Sequence, residues 1–138
     1  MAKSDVTIFH NPNCGTSRNT LALIREAGVE PHVVEYIRAG WTRPQLTELF
    51  QKMGARPREA LRVAGTSAEE KGQTDPSVSD AALIAAMVAD PILVNRPIVV
   101  TERGASLCRP VDKVVPLLSD EAQANLRAKG LPAPQNQA

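Results

Sequence analysis

The residues best suited to chemistry stand together in one stretch, His10-Asn11-Pro12-Asn13-Cys14-Gly15-Thr16-Ser17-Arg18-Asn19-Thr20. A thiol, Cys14, lies among small polar residues, with an imidazole, hydroxyls and a guanidinium close by in sequence. The stretch follows a short apolar run at 6–9 and precedes an amphipathic helical pattern. The cysteine therefore falls where a strand ends and a helix begins. The first amides of a helix lack intrahelical acceptors and carry the positive end of its dipole. A thiolate is stabilised there, and an oxyanion beside it is held by the same groups. The segment reads as a nucleophilic sulfur built into an anion site. The opposite reading, an inert thiol packed as a small hydrophobe, suits the polar neighbours Asn13, Gly15, Thr16 and Ser17 poorly.

Two templates fail on spacing. A dithiol redox motif needs a second cysteine three residues away, but Asn11 and Ser17 occupy those places. A phosphatase loop of cysteine, five residues and arginine needs arginine at position 20, which is Thr20. Cys14 is left to exchange with an external thiol, or with Cys108 if the fold joins them. Cys108 sits between Leu107 and Arg109 in an expected strand, and a core role is favoured there. His10 either tunes the thiolate or serves as a structural hydrogen-bond partner at the strand end. His32 has no spacing partner for a metal site, and none is expected. Arg96 and Arg109 stand beside Pro97 and Pro110 at strand ends, where side chains can converge on the Cys14 loop. A guanidinium fork matches a tetrahedral oxyanion in a bidentate way. Arg62, at the end of an expected short helix, is a third candidate. Arg18, on the first turn of the helix after Cys14, either reaches the anion or lies on a solvated face.

These residues need a scaffold. Residues 6–9 read as a strand. The helix that follows can be capped by Thr16 or Ser17, buries Leu21, Ile24 and Ala27, and stops at Gly28 before Pro31. Residues 32–36 form a second strand, and right-handed crossover implies a parallel pair. Thr42 and Gln45 make a capping-box pattern with Pro44 in the first turn. Leu46, Leu49, Phe50 and Met53 follow at helical spacing up to Gly54. A short helix is expected at 57–62, an exposed loop at 65–76, and another helix at 79–89 with Leu83, Ile84, Met87 and Val88 inward. Residues 97–101 and 106–109 then form a hairpin about a turn at 102–105. Val111, Val114, Val115 and Leu118 have helical spacing, which Pro116 should shorten or kink. Residues 121–138 read as a polar, flexible tail. The order is a βαβ unit, a helical insert at about 42–90, and a ββα unit. That is the thioredoxin layout: an α/β fold with a mixed four-stranded sheet, expected as a single domain over 1–120. The fold commonly holds a cis-proline where Pro97 stands, although base rates alone do not predict cis.

Bulk properties narrow the function. The 138 residues carry 16 basic and 15 acidic side chains, a formal net charge of +1. A general nucleic-acid binder would carry a basic excess, so no nucleic acid is expected, and any anion site must be a local cluster of arginines. No apolar run approaches the ~20 residues of a membrane span, and Met1-Ala2-Lys3-Ser4-Asp5 lacks a signal-peptide core. Two distant cysteines suit free thiols in a reducing compartment. A cytoplasmic monomer is the expectation.

Three motifs together resemble one family. His10-Asn-Pro-x-Cys14-Gly-Thr-Ser-Arg-Asn-Thr20, Asn95-Arg96-Pro97-Ile98-Val99-Val100 and Leu107-Cys108-Arg109-Pro110 are similar to the glutaredoxin-coupled arsenate reductases of thioredoxin-like fold. The resemblance covers about residues 5–118. It implies that Cys14 is the nucleophile, that Arg62, Arg96 and Arg109 bind the arsenic oxyanion, and that His10 and Ser17 support the thiolate. Asn11, Gly15, Thr16, Arg18 and Pro97 would complete the site. Val63-Ala64-Gly65 after Arg62 departs from the more polar residues of the family, and Pro116 departs as well. The implied cycle has arsenate as substrate, glutathione as co-substrate, glutaredoxin as the partner that regenerates Cys14, and no bound cofactor. Two rivals share the fold. A Spx-like, non-catalytic redox regulator often carries the Cys-x-x-Cys that Ser17 rules out. An orphan glutathione-dependent thiol reductase would act on another substrate.

Overall fold

A computed structural model describes residues 5–132 of the chain. The described residues fall into two compact units, residues 5–34 with 96–132, and Glu35–Asn95.

The first unit is built on a sheet. Strand β1 (Thr7–His10) leads through helix α1 (Gly15–Glu26) to β2 (His32–Glu35), and β3 (Ile98–Thr101) and β4 (Gly104–Leu107) follow later in the chain. The four strands form one mixed sheet in the order β2-β1-β3-β4. β1 and β3 run antiparallel with Ile8 opposite Val99 and Phe9 opposite Ile98. β3 and β4 run antiparallel with Ile98 opposite Leu107 and Thr101 opposite Gly104. This is the thioredoxin-like α/β layout expected from the element order. The β-branched residues of β3 suit its central place: Ile98 and Val99 are fully buried. One core cluster joins Val6, Ile8, Leu23, Ile24 and Val99 to Val114, Leu118 and Leu126.

Several local expectations change. Cys14 itself is the N-cap of α1, not Thr16 or Ser17. The chain turns tightly beforehand, with Cys14 N–H donating to Asn11 O at 3.0 Å, and the Ser17 hydroxyl is engaged elsewhere. The earlier start sets the helix register. Thr20, Leu23, Ile24 and Ala27 form the buried face, and Leu21 is only half-buried. β4 ends at Leu107, so Cys108 and Arg109 lie past the strand, and the hairpin turn shrinks to Glu102 and Arg103 because Gly104 already pairs with Thr101. Residues Val111–Leu117 form a 3₁₀ helix around Pro116. Its three-residue period stacks Val111, Val114 and Leu117 on one side. The polar tail is largely a helix, α5 (Asp120–Ala128). Ser119 caps it, Asp120 and Glu121 occupy its first turn, and Ala122 and Leu126 are buried. Asn125 Nδ2 donates to Ala27 O at 2.9 Å, and Lys129 Nζ to Glu26 O at 2.9 Å. These donors satisfy orphan carbonyls at the end of α1. Residues 133–138 of the expected tail lie outside the described residues.

The second unit is helical. It holds α2 (Tyr36–Ala39), α3 (Arg43–Met53) and α4 (Asp80–Ala89). The Thr42–Gln45 capping box forms with both bonds present, and Gly54 ends α3 at φ 65°. α2 was not expected; Tyr36 leaves the strand to bury its ring, donating its hydroxyl to Val94 O at 2.7 Å. The helix expected at 57–62 is a 3₁₀ turn, Pro57–Ala60. Leu61 instead bridges to Val94, and Arg62 follows it. Leu46, Leu83 and Met87 are fully buried here, and Met53 is half-buried. Among the described residues no helix is long and apolar enough to cross a membrane.

Candidate active site

Sheet register assembles the site. The antiparallel pairing of β1 with β3, and of β3 with β4, brings three chain ends to one edge of the sheet. These are the exit of β1 at His10, the entry of β3 at Arg96-Pro97, and the exit of β4 at Cys108-Arg109. Cys108 N–H donates to Pro97 O at 2.8 Å, which fixes the two ends together. The Arg96–Pro97 and Arg109–Pro110 bonds are both cis.

The loop between β1 and α1 is shaped by Asn11. Its Oδ1 accepts the Asn13 N–H at 3.0 Å and its carbonyl accepts the Cys14 N–H. An Asx turn of this kind presents the next residues to the helix start. Ser17 Oγ accepts the Asn11 N–H at 3.0 Å and lies 2.6 Å from His10 Nδ1. His10, Asn11 and Ser17 are all buried. The imidazole thus serves as a structural partner of Ser17, and through Ser17 it braces the first turn of α1.

Cys14 Sγ receives three donors. They are the Ser17 backbone N–H, the Arg96 guanidinium, and Arg109 Nη1 at 3.7 Å. Burial pushes the thiol pKa up. The Ser17 amide and the charge and hydrogen bond of Arg96, with the Arg109 hydrogen bond, outweigh it and leave the thiol below its ordinary value. Arg96 is itself buried, 7% exposed. Arg109 Nη1 also donates to Arg96 O at 3.1 Å, so one guanidinium ties the sulfur to the β3 entry. Gly15 and Thr16, the first two residues of α1, have amides with no acceptor among the described residues. Two guanidinium groups and the Ser17 amide thus converge on the sulfur, and the helix start that follows it leaves two amides open, an arrangement suited to gripping a tetrahedral oxyanion while sulfur attacks it.

The other expected residues fall into place differently. Arg18 donates from Nη1 to Pro12 O at 2.8 Å and is exposed, so it straps the loop. Arg62 belongs to the second unit, where its Nε donates to Ala64 O at 2.8 Å. Cys108 is fully buried in the core cluster, and burial pushes its thiol up to about 12. The ties from Arg109 to Arg96 O and from Arg18 to Pro12 O had no signal in the sequence, because both acceptors are backbone carbonyls. Among the described residues no group of three or more metal-ligating side chains occurs.

Comparison with known proteins points the same way. A family model described as the ArsC family matches residues 9–116. The chain is 50% identical over 118 residues to the arsenate reductase ArsI1 of Synechocystis, covering 86% of this chain and 82% of that protein. It is 51% identical to an arsenate reductase of Rhizobium meliloti, with coverage of 83% and 82%. Among solved structures, an arsenate reductase from Vibrio cholerae superposes with a TM-score of 0.80 at 38% identity, covering 86% of this chain and all of that one.

Proposed function

This chain belongs to the ArsC family, and on that footing we propose that it is an arsenate reductase whose Cys14 is the nucleophile. The observation that carries the reading is the thiolate held by Ser17 N–H, Arg96 and Arg109 at the mouth of α1. The Cys14 thiolate attacks arsenic(V), a sulfur–arsenic bond forms, and one oxygen leaves as water. Arg96, Arg109 and the open amides of Gly15 and Thr16 take the negative charge of the arsenate oxygens as the bond forms. Arg62 is assigned to the same oxyanion by family resemblance.

The second half of the cycle needs an external thiol. Neither Asn11 nor Ser17 can supply a resolving sulfur, and Cys108 is fully buried with a thiol that stays protonated. We assign the role to glutathione. A sulfur–sulfur bond forms between glutathione and Cys14, the two electrons pass to arsenic, and arsenite leaves as arsenic(III). Glutaredoxin then removes the glutathione by thiol–disulfide exchange. A reducing cytoplasm suits this cycle.

Arsenite formation from arsenate, glutathione and glutaredoxin tests the proposal. The wild-type protein should turn over, and omission of glutathione should stop it. Cys14→Ser should be folded and inactive; full turnover by that variant would assign the nucleophile elsewhere.

A further inference from the structure

Thr20 carries a buried hydroxyl that the chemistry above does not use. Among the described residues the buried polar side chains are His10, Asn11, Ser17, Thr20, Arg96 and Thr101. His10, Asn11 and Ser17 hold the Cys14 loop, and Arg96 meets the sulfur. Thr101 ties β3 to the 3₁₀ helix by donating to Leu117 O at 2.7 Å. Thr20 is fully buried and shares the inner face of α1 with Leu23, Ile24 and Ala27. Valine would fill the same space there with no hydroxyl to satisfy.

The hydroxyl acts on the backbone. Thr20 Oγ1 donates to Thr16 O at 2.8 Å. In an α-helix that carbonyl is already the acceptor of the Thr20 amide, so it takes two hydrogen bonds from one residue. The Thr16 carbonyl and the Ser17 N–H belong to a single planar peptide group. Cys14 is the N-cap of α1 and Ser17 its third helical residue, a position whose amide an N-cap side chain reaches, and the Ser17 N–H donates to Cys14 Sγ. A continuous line of polar groups therefore runs from a core hydroxyl, through one peptide, to the sulfur. Each hydrogen bond accepted by the carbonyl draws electron density off the peptide nitrogen and makes its N–H a stronger donor. The same back-bond occurs in α3, where Thr47 Oγ1 donates to Arg43 O at 2.9 Å. There the threonine is exposed, and the nitrogen of the peptide it loads belongs to Pro44, which has no N–H to strengthen.

We propose that Thr20 is a positioning residue for Cys14: its hydroxyl loads the Thr16 carbonyl and so strengthens the hydrogen bond that the Ser17 N–H gives the sulfur. The assignment rests on the reading above that Cys14 is the nucleophile.

The test is the rate of Cys14 alkylation by iodoacetamide against pH, without arsenate. The groups that bear on the sulfur are Arg96 at the entry of β3, Arg109 past β4 and, through Ser17 Oγ, His10 on β1. They are the same in every variant. Thr20→Val keeps the shape and removes the hydroxyl. It should move the midpoint to higher pH and slow alkylation at a fixed pH below the midpoint by about twofold. Denaturant unfolding of the same variant should show no loss of stability, because Thr16 O keeps its helical partner. Thr20→Ser keeps the donor and should restore the wild-type profile. Thr47→Val, the same chemical change in α3, should leave the profile where it is. A midpoint unmoved in Thr20→Val, or moved equally in Thr20→Ser or Thr47→Val, overturns the assignment. Arsenite production assayed in parallel separates the two claims. If the midpoint moves as expected but no arsenite forms, the Thr20 contact stands and the arsenate reading falls. If arsenite forms and the midpoint holds, Thr20 alone is misassigned.

Discussion

The Cys14 thiol pKa is lowered against the pull of its own burial, and the groups that achieve this can be removed one at a time. Arg96 supplies both a charge and a hydrogen bond. Arg96→Gln should raise the thiol pKa toward its ordinary value, read as the midpoint of alkylation rate against pH. The sign follows from the thiolate being the reactive form. Wild-type reactivity persists below the ordinary thiol pKa and is lost as pH falls through the lowered value, whereas the variant loses it at higher pH. A midpoint unmoved by the substitution would remove Arg96 from the site. Cys108 behaves oppositely. Its folded-state pKa is raised to about 12, so the unfolded chain ionises first as pH rises above about 8.5. Folding stability should therefore fall between those values by up to about 1.4 kcal/mol per pH unit. Cys108→Ala should flatten that alkaline loss in denaturant titrations and keep arsenite production. An inactive but folded variant would instead return Cys108 to the catalytic cycle. At this scale the sequence was informative. The neighbours of Cys14 and the prolines beside Arg96 and Arg109 marked three of the site residues, because polar residues at a strand-to-helix junction have few structural uses. It said nothing of which donor reaches the sulfur, since Ser17 acts through its amide and not its hydroxyl.

Helix α1 carries the site, and both of its ends are tied down. At the start, the Asn11 turn and the Ser17 hydroxyl fix where the first turn begins. At the far end, Asn125 and Lys129 of the C-terminal segment donate to its last carbonyls. α5 is thus a structural part of the first unit. Leu126, 1% exposed, should cost about 2–5 kcal/mol on truncation to alanine, measured by chemical denaturation. A loss near zero would mean that α5 does not dock. This helix was the element least legible in the chain. Two apolar residues, Ala122 and Leu126, make a stripe too sparse to stand out among charges, although Ser119 and the acidic first turn are ordinary start signals. Where apolar spacing was dense, as in α3 and α4, the sequence located the helices to within a residue or so. It placed a short helix at 57–62 and a helix shortened or kinked by Pro116 at 111–118, and both segments take the 3₁₀ form. Proline in each favours the tighter 3₁₀ path, and the apolar spacing of three serves either form.

For the whole molecule, the arginines singled out in the sequence fall in both units. Cys14, Arg96 and Arg109 share the first unit, and Arg62 lies in the second. Arg62→Ala should raise the KM for arsenate while leaving the Cys14 alkylation profile where it is, because Arg62 is not among the donors to the sulfur. Unchanged arsenate dependence would strike Arg62 from the binding set. The sequence alone determined the strands, most of the helices, the chemical character of the Cys14 loop and the identity of its arginines. Each of these depends on residues within a turn or two of one another, where periodicity and capping act. Tertiary structure alone decided that Arg109 reaches both Cys14 and the Arg96 carbonyl, that Cys108 is sealed in the core, and that the last helix closes α1. These contacts join residues some 13 to 103 positions apart. The Arg109 contacts follow from the single register in which β1, β3 and β4 pair, because a slip of one residue turns a strand's side chains to the opposite face; the closing of α1 follows from α5 docking against its end.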